Sequence, residues 1–371
     1  MFMKLRFVFL LTITLFFVST AHGAETQETH FPSLISSLRL STSLTFCGEK
    51  VPVEIQSIRE RLEKELLLTL WDRPQVILWL KRSSRYLPII EKMLKENKIP
   101  EDLKYIAIAE SALRPHVSSK RGAIGFWQFV RQTGIKYGLT INGYIDERRN
   151  LLASTQAAIR YFEELYQQFG SWTLAAAAYN MGEEGLMAEI LEQETNLYYQ
   201  LYLPMETQRF IFRVISAKLI FSNQEKYGFF LSEQDYYQPL EFDRINLNCS
   251  QDIPIRIIAR AAKTHFKVIK DFNPEIRGHY ITKGGHHILI PKGSAKGFHS
   301  RYQELLKDWV ASKKEFVYIV NQGDNLSSIA EKFNVPLAAL IIWNKLDLKA
   351  HIHPGDRLII YSKEVKNEDS D

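Results

Sequence analysis

"IAIAESALRP", residues 106–115, sets a glutamate and a serine inside an apolar run. Leu103, Ile106, Ala107 and Glu110 recur at i, i+3, i+4 and i+7, the spacing of one face of an α-helix. Glu110 therefore shares the apolar stripe of its helix instead of opposing it. An ionised carboxylate there needs partners, or its pKa shifts upward and it becomes neutral. The spacing alone leaves two readings open. Glu110 is a capped or salt-bridged glutamate near a helix end that Pro115 closes, or it is a carboxyl group kept in apolar surroundings for chemistry.

The pattern stays helical from about Pro52 to about Ser222. "IQSIRERLEKELLLTLW" (55–71), "QVILWLKRSSRYLPIIEKMLKEN" (75–97), "EDLKYIAIAESAL" (101–113), "LASTQAAIRYFEELYQQFG" (152–170) and "WTLAAAAYN" (172–180) all keep a three-to-four-residue period. Pro100-Glu101-Asp102 opens one helix, with its acids near the N-terminus, and Gly170 closes another. The block is expected to be all-α. Within it, Gly122 and Gly125 allow a tight turn before Phe126-Trp127-Gln128. Tyr179 and Asn180 end a helix of small residues, with Gly182 as its C-cap.

After about Pro239 the texture changes to short β-rich pieces, and an internal repeat emerges. Ile258-Ala259 matches Ile329-Ala330, Ile269 matches Leu340 and Asn273 matches Asn344, all at an offset of 71 residues. A glycine turn and an apolar strand follow each copy, "GGHHILIP" and "PGDRLIIY". Strand, two short helices, strand describes a compact βααβ unit.

The N-terminal residues carry Lys4 and Arg6 ahead of an apolar run from Phe7 to Val18, then Ala21-His22-Gly23. This is the pattern of a secretory signal peptide, and the run is short for a spanning helix. No cysteine lies near the cleavage site to suggest a lipid anchor. An exported, periplasmic or envelope-associated protein is expected. The formal charge is +5, of which the leader contributes Lys4 and Arg6. This mild basicity suits an anionic polymer, and no basic run with interleaved aromatics points to nucleic acid. Cys47 and Cys249 are expected to pair as a disulfide in an oxidising compartment, the alternative being two buried free thiols. Neither His286-His287 nor His351-x-His353 is accompanied by further ligands at metal spacing, so no metal and no cofactor is expected.

The helical block resembles the soluble lytic transglycosylase domain, related to goose-type lysozyme, and within it the branch of membrane-bound lytic murein transglycosylase D. The resemblance rests on Glu110-Ser111, on Gly125-Phe126-Trp127-Gln128 and on Ala178-Tyr179-Asn180-Met181-Gly182, in that order. Asp146 to Asn150 ("DERRN") is similar to a segment between the last two motifs. The C-terminal copy resembles a LysM module, with Gly323-Asp324-Asn325-Leu326 in its first loop and Asn344 before its second strand. The upstream copy lacks the Gly-Asp loop. The resemblance implies a multidomain chain: signal peptide 1–23, N-terminal helical extension 24–95, all-α lysozyme-like catalytic domain 96–238, degenerate LysM-like repeat and connector 239–311, an α+β LysM domain 312–362 and a tail 363–371.

For function, the resemblance implies non-hydrolytic cleavage of the β-1,4 bond between N-acetylmuramic acid and N-acetylglucosamine in peptidoglycan, leaving a 1,6-anhydro end. Glu110 serves as acid and then as base. Ser111, Gln128, Tyr179 and Asn180 hold substrate, and Phe126-Trp127 supply an aromatic wall. Phe210 stands where relatives often carry tyrosine and takes no polar role. Gly323, Asp324, Asn325, Leu326, Asn344 and Ile352 contact glycan. Peptidoglycan strands are the expected partner, with wall-synthesis or wall-remodelling proteins as further candidates, and the chain is expected to be a monomer. Two rival readings are a catalytically silent wall-binding protein and a hydrolytic goose-type muramidase. The second needs another carboxylate, for which Asp146 and Glu147 are the nearby candidates.

Overall fold

The computed structural model describes residues 32–312, 315–344, 346 and 351–361. The leader expected at 1–23 and the tail expected at 363–371 lie outside the described residues, as do 347–350 in the second LysM loop.

A single turn, α1 (Leu34–Ser37), and a hairpin of β1 (Thr45–Phe46) and β2 (Glu49–Lys50) precede α2 (Gln56–Trp71) and α3 (Arg73–Glu96). Asp72 divides these two helices. Its carboxylate accepts from Gln75 N at 3.3 Å and Pro74 sits in the first turn, both signals of a helix start. A 3-10 turn at Glu101–Leu103 leads into α4 (Lys104–Ser111). Then come α5 (Arg131–Lys136), α6 (Leu151–Phe169), α7 (Trp172–Met181), α8 (Glu183–Gln193) and α9 (Met205–Ser222). Asn150 caps α6 by accepting from Ala153 N at 2.9 Å, and Gly170 ends it in the left-handed region. Buried residues from Leu44 to Phe229 form one continuous cluster, so α2 and α3, expected as an extension, share the core of the block at 96–238.

The β1–β2 hairpin bolts three of these helices together. The Glu49 carboxylate accepts from Trp172 N (2.5 Å), Thr173 N (3.0 Å), Thr173 Oγ1 (2.6 Å) and Ser171 Oγ (2.8 Å), placing a negative charge on the N-terminus of α7. Asp102 accepts from Cys47 N and from Lys218 Nζ of α9, both at 2.7 Å.

The C-terminal part repeats as the sequence indicates. β3 (Phe242–Cys249), β4 (Ile253–Pro254), α10 (Ile255–Ala261), α11 (Phe266–Phe272), β5 (Tyr280–Ile281) and β6 (Gly284–Pro291) make the first unit, and α12 (Phe298–Ser312) packs on it. The second unit is β7 (Glu315–Ile319), α13 (Leu326–Lys332), α14 (Leu337–Asn344) and β8 (Arg357–Tyr361). In each the outer strands pair antiparallel, Ile245 opposite Ile288 and Val317 opposite Ile359. The first unit is joined to the helical block by main-chain bonds, Asp146 N to Glu275 O at 2.9 Å and Arg277 N to Tyr144 O at 2.8 Å.

The disulfide expected between Cys47 and Cys249 is not formed, and both are free thiols. Cys47 turns the β1–β2 hairpin against the helical core, whereas Cys249 is buried in the separate core of the first repeat. The two cysteines thus belong to different hydrophobic clusters. Burial pushes both thiols above their ordinary pKa, which keeps them protonated and unreactive.

Candidate active site

Glu110 occupies the last turn of α4. The chain then leaves the helix through two successive left-handed residues, Ala112 (φ 52°) and Leu113 (φ 57°). Each costs a residue with a Cβ roughly 1–2 kcal/mol. Arg82 of α3 donates from Nη1 to Ala112 O at 3.2 Å and fixes this bend. α4 lies along α9, with Tyr105 against Phe221 at 5.8 Å near one end and Glu110 within reach of the Arg213 and Glu206 charges near the other. Among the described residues the Glu110 carboxyl has neither a hydrogen-bond partner nor an ion pair. Burial pushes its pKa up to about 7; the Arg213 charge opposes this shift, and the Glu206 charge adds to it. Of the two opening readings, the capped or salt-bridged glutamate is therefore not what forms.

The three motifs meet on one turn. Its carbonyls at 125, 126 and 127 accept in succession from Gln128 Nε2 (2.9 Å), Ser111 Oγ (2.8 Å) and Tyr179 Oη (2.5 Å). Gln128 Nε2 also donates to Val117 O at 3.1 Å, and Gln128 itself sits at φ 50°. Ser111 is buried at 2 % exposure and has its hydroxyl shared between Phe126 O and Ala107 O. These polar side chains, expected to bind substrate, are therefore turned onto the protein's own backbone. Among the described residues Gln128 Oε1 accepts no hydrogen bond and stays open. Asn180, by contrast, makes no hydrogen bond among the described residues. The phenol of Tyr179 stacks on Phe162 at 4.7 Å; burial, then the nearby Glu110 charge, holds it well above its ordinary pKa.

Phe126 and Trp127, expected as an aromatic wall, are core residues at 1 % and 0 % exposure. Trp127 satisfies its indole by donating to Thr155 Oγ1 at 3.0 Å. The reason lies in the turn, whose carbonyls face the three motif side chains and send the intervening rings inward.

The turn is clamped from behind by the "DERRN" segment. Arg148 donates from Nε to Asp146 Oδ1 and from Nη2 to Asp146 Oδ2, both at 2.8 Å, and from Nη1 to Gly122 O at 2.9 Å and Phe129 O at 3.2 Å. Burial alone would raise the Asp146 pKa, but the Arg148 hydrogen bonds and charge outweigh it and hold the carboxyl below its usual range. Gly125 touches this clamp directly, since a Cβ there would lie 1.8 Å from Arg148 O. Glu147 accepts from Thr140 N at 2.6 Å. Both candidates for a second carboxylate are thus committed to loop structure.

In the second repeat most of the residues expected to contact glycan serve its fold. Gly323 (φ 91°) makes the turn, and Asp324 accepts from Tyr318 Oη and Asn321 N, both at 2.7 Å. Asn325 caps α13 by accepting from Ser328 N at 2.9 Å, and Leu326 and Ile352 pack against the small core. Asn344 donates to Leu340 O and Ile359 O, both at 2.9 Å, and accepts from Ile359 N. Asn273 does the same with Ile269 O (2.7 Å), Leu289 O (2.8 Å) and Leu289 N (2.8 Å). The asparagine is a bracket between second helix and last strand in both copies.

Sequence reasoning did not find Arg213 or Glu206, whereas a salt-bridged loop of Asp146 with Arg148 was the alternative to a catalytic role for that acid and is what forms. Glu206, Arg209 and Arg213 do recur at helical spacing on α9, a charged stripe that was available as a signal.

Comparison with known proteins agrees with this architecture. The transglycosylase SLT domain family matches residues 88–201 and the LysM domain family matches residues 318–360. Membrane-bound lytic murein transglycosylase D of Escherichia coli K12, and its counterpart from strain O6:H1, are each 31% identical to this chain over 293 residues. The match takes in 75% of this chain and 64% of each relative, so the chain spans less than two thirds of their length. Among solved structures, the 70 kDa soluble lytic transglycosylase of Escherichia coli is similar at a TM-score of 0.33 and 17% identity, covering 48% of this chain and 32% of that one. The chain carries an SLT domain and a C-terminal LysM module, and over 75% of its length it is similar to membrane-bound lytic murein transglycosylase D.

Proposed function

We propose that the protein is an exported lytic transglycosylase that cleaves the glycan strands of peptidoglycan with Glu110 as its single acid–base residue. The observation that carries this reading is the state of Glu110. Its carboxyl is unpartnered among the described residues, and burial pushes its pKa up to about 7. A carboxylic acid that keeps its proton near neutral pH can deliver it to a glycosidic oxygen, and its conjugate base can then take one back.

In the first step Glu110 protonates the oxygen leaving C1 of the muramic acid. In the second, Glu110 as carboxylate draws the proton from the C6 hydroxyl of the same residue, and that oxygen closes onto C1. The proton count balances without water, and the acid is regenerated. Ordinary glycosidases divide these roles between two carboxylates. Here Asp146 and Glu147 are committed elsewhere, and Glu206, the carboxylate that Glu110 senses, is paired with Arg213 at 3.2 Å. This favours the single-acid route over the hydrolytic one. Asn180 and Gln128 Oε1 remain open to sugar groups, while Ser111 and Tyr179 hold the turn that faces Glu110. The LysM unit is assigned to glycan binding and to placing the enzyme on its polymer.

Digestion of purified sacculi, with mass analysis of the released fragments, tests the reading. Wild type should give fragments ending in 1,6-anhydro-muramic acid, lighter by one water than hydrolytic products. Glu110→Gln should give none, since general acid–base assistance is worth roughly 10²- to 10⁴-fold per role and one residue performs both. Reducing ends from the wild type would favour hydrolysis instead.

A further inference from the structure

The first repeat, 242–291, has a hydrophobic core of its own, separate from that of the helical block. A strand joins the two. Residues 275–277, in the loop between α11 and β5, lie antiparallel to the hairpin at 141–146 and extend it. Asp146 N donates to Glu275 O at 2.9 Å, Ile145 pairs with Ile276, and Arg277 N donates to Tyr144 O at 2.8 Å. The Glu275 side chain is also hydrogen-bonded to Asn150, the cap of α6.

On its own side this strand is fixed to the core of the repeat. Ile276 N donates to Asn273 O at 3.2 Å, and Asn273 brackets α11 to β6. Lys270 Nζ donates to Ile276 O and, at 3.0 Å, to Gly278 O.

What the strand meets on the helical block is the back of the active site. Asp146, whose amide it holds, grips Arg148 at 2.8 Å through both carboxylate oxygens. Arg148 Nη1 in turn holds Gly122 O and Phe129 O on either side of the 125–128 turn, and its own carbonyl lies against Gly125. The carbonyls of that turn receive Ser111, the neighbour of Glu110, and Tyr179. Direct contacts therefore lead from the bracket at Asn273 to the residue beside the catalytic acid.

The repeat has also closed together two loops that its sister copy leaves apart. Ile253 and Pro254 pair with Ile281 and Tyr280, and Ile255 N donates to His279 O at 2.9 Å. Between the equivalent positions of the second unit, 324–325 and 351–352, no main-chain bond forms among the described residues.

We propose that the first repeat is a working part of the catalytic unit and not a second glycan-binding module: its 275–277 strand positions the Asp146–Arg148 clamp and, through it, the turn beside Glu110. The proposal rests on the transglycosylase reading above and gives a role in that reaction to a unit outside the 88–201 SLT segment.

Two variants of the full chain test it. Arg277→Pro removes the N–H that bonds Tyr144 O, and Arg277→Ala keeps that N–H while losing the side chain. Steady-state cleavage of short soluble glycans, counted as total bonds broken, gives kcat and KM separately. Arg277→Pro should lower kcat about 3- to 10-fold, the scale of one hydrogen bond, with KM within about twofold of wild type. Arg277→Ala should stay within about twofold of wild type on both. A raised KM at unchanged kcat would mean that the repeat touches glycan and would overturn the proposal. No change in the proline variant, or equal losses in both variants, would overturn it too.

A second pair decides the matter if the proline variant fails to fold. Ile258→Ala and Ile329→Ala open cavities at equivalent, fully buried positions of the two repeats. The first should lower the temperature at which activity on soluble glycan is lost by about 5 °C or more, and the second should leave it in place. The same temperature for Ile258→Ala as for wild type, or the same fall in both variants, overturns the proposal. Bonds are counted whatever their ends, so hydrolytic products from wild type would overturn the chemistry assigned to Glu110 and leave the comparison of variants standing.

Discussion

Glu110→Gln separates the chemical role of the carboxyl from its cost to the fold. In the folded protein its pKa stands at about 7 against 4.5 for a free glutamate, raised mainly by burial. Each unit corresponds to about 1.4 kcal/mol, so the full shift places an upper bound near 3 kcal/mol on the destabilisation by the charged form. Water reaches part of this half-buried side chain, and the expected value is about 1–3 kcal/mol. The sign follows from which state holds the proton. Below about pH 4.5 both folded and unfolded chains are protonated and Glu110 exacts no penalty. Between 4.5 and 7 the unfolded chain ionises and the folded one does not, so the stability of the wild type declines relative to the variant. Above 7 both are ionised and the penalty is constant.

Urea denaturation of wild type and Glu110→Gln at intervals from pH 4 to pH 9 measures the difference directly. The two should be near-equal at pH 4, and the glutamine variant more stable by about 1–3 kcal/mol at pH 8, while inactive throughout. Burial raises Glu275 to about 7 as well, but that group is present in both proteins and cancels. A stability difference that does not change with pH would refute the claim that burial holds Glu110 protonated, and with it the physical basis of the acid role proposed for it.

Other expectations concern the supports of the site and the C-terminal module. Gly125→Ala should lose about 3 kcal/mol or more in thermal melts, since its Cβ would meet Arg148 O at 1.8 Å in a left-handed backbone conformation. Asp146→Asn should cost about 3–5 kcal/mol by leaving the Arg148 charge buried without its partner, and activity should fall with it as the turn loosens. Asn344→Ala should destabilise the LysM unit by about 1–3 kcal/mol, read by amide exchange within 317–361, while its folded fraction binds glycan normally. Removal of residues 313–371 should weaken pull-down on sacculi and leave cleavage of short soluble glycans near wild type; equal pull-down would refute a targeting role.

Much of the fold was legible because its helices advertise themselves twice, by apolar period and by their ends. Pro100-Glu101-Asp102 and Gly170 mark where the chain restarts and stops, and the five helices read from the period form within about three residues of the expected limits, while α5, α8 and α9 had none set. The repeat was legible because a core position is a volume requirement. Ile258 and Ile329 are both fully buried, as are Ile269 and Leu340. The division into an extension at 24–95 was not a division of the core, because sequence cannot show that α2 packs against α9 and α3 against α6, both far along the chain. The disulfide was misjudged for a related reason: compartment and count permit a bridge, but only tertiary distance decides it.

The candidate site was legible in its residues and much less so in their roles. Ser111, Gln128 and Tyr179 were identified from motifs, and a polar residue in a motif invites the inference that it touches substrate. The structure assigns their hydrogen bonds to three consecutive carbonyls of one turn. Physical necessity lies behind this arrangement. Ala112, Leu113 and Gln128 all hold left-handed backbone without being glycine, and such strain persists only where surrounding contacts over-determine it. The cross-motif hydrogen bonds, the Arg82 bond to Ala112 O and the Arg148 clamp are those contacts. By fixing the bend after Ser111 and the turn opposite it, they leave one carboxyl group in the assembly, that of Glu110, with no partner of its own. In this motif most polar atoms are consumed in holding its geometry, and the groups left without a partner among the described residues, the Glu110 carboxyl, the Asn180 amide and Gln128 Oε1, are those open to a ligand.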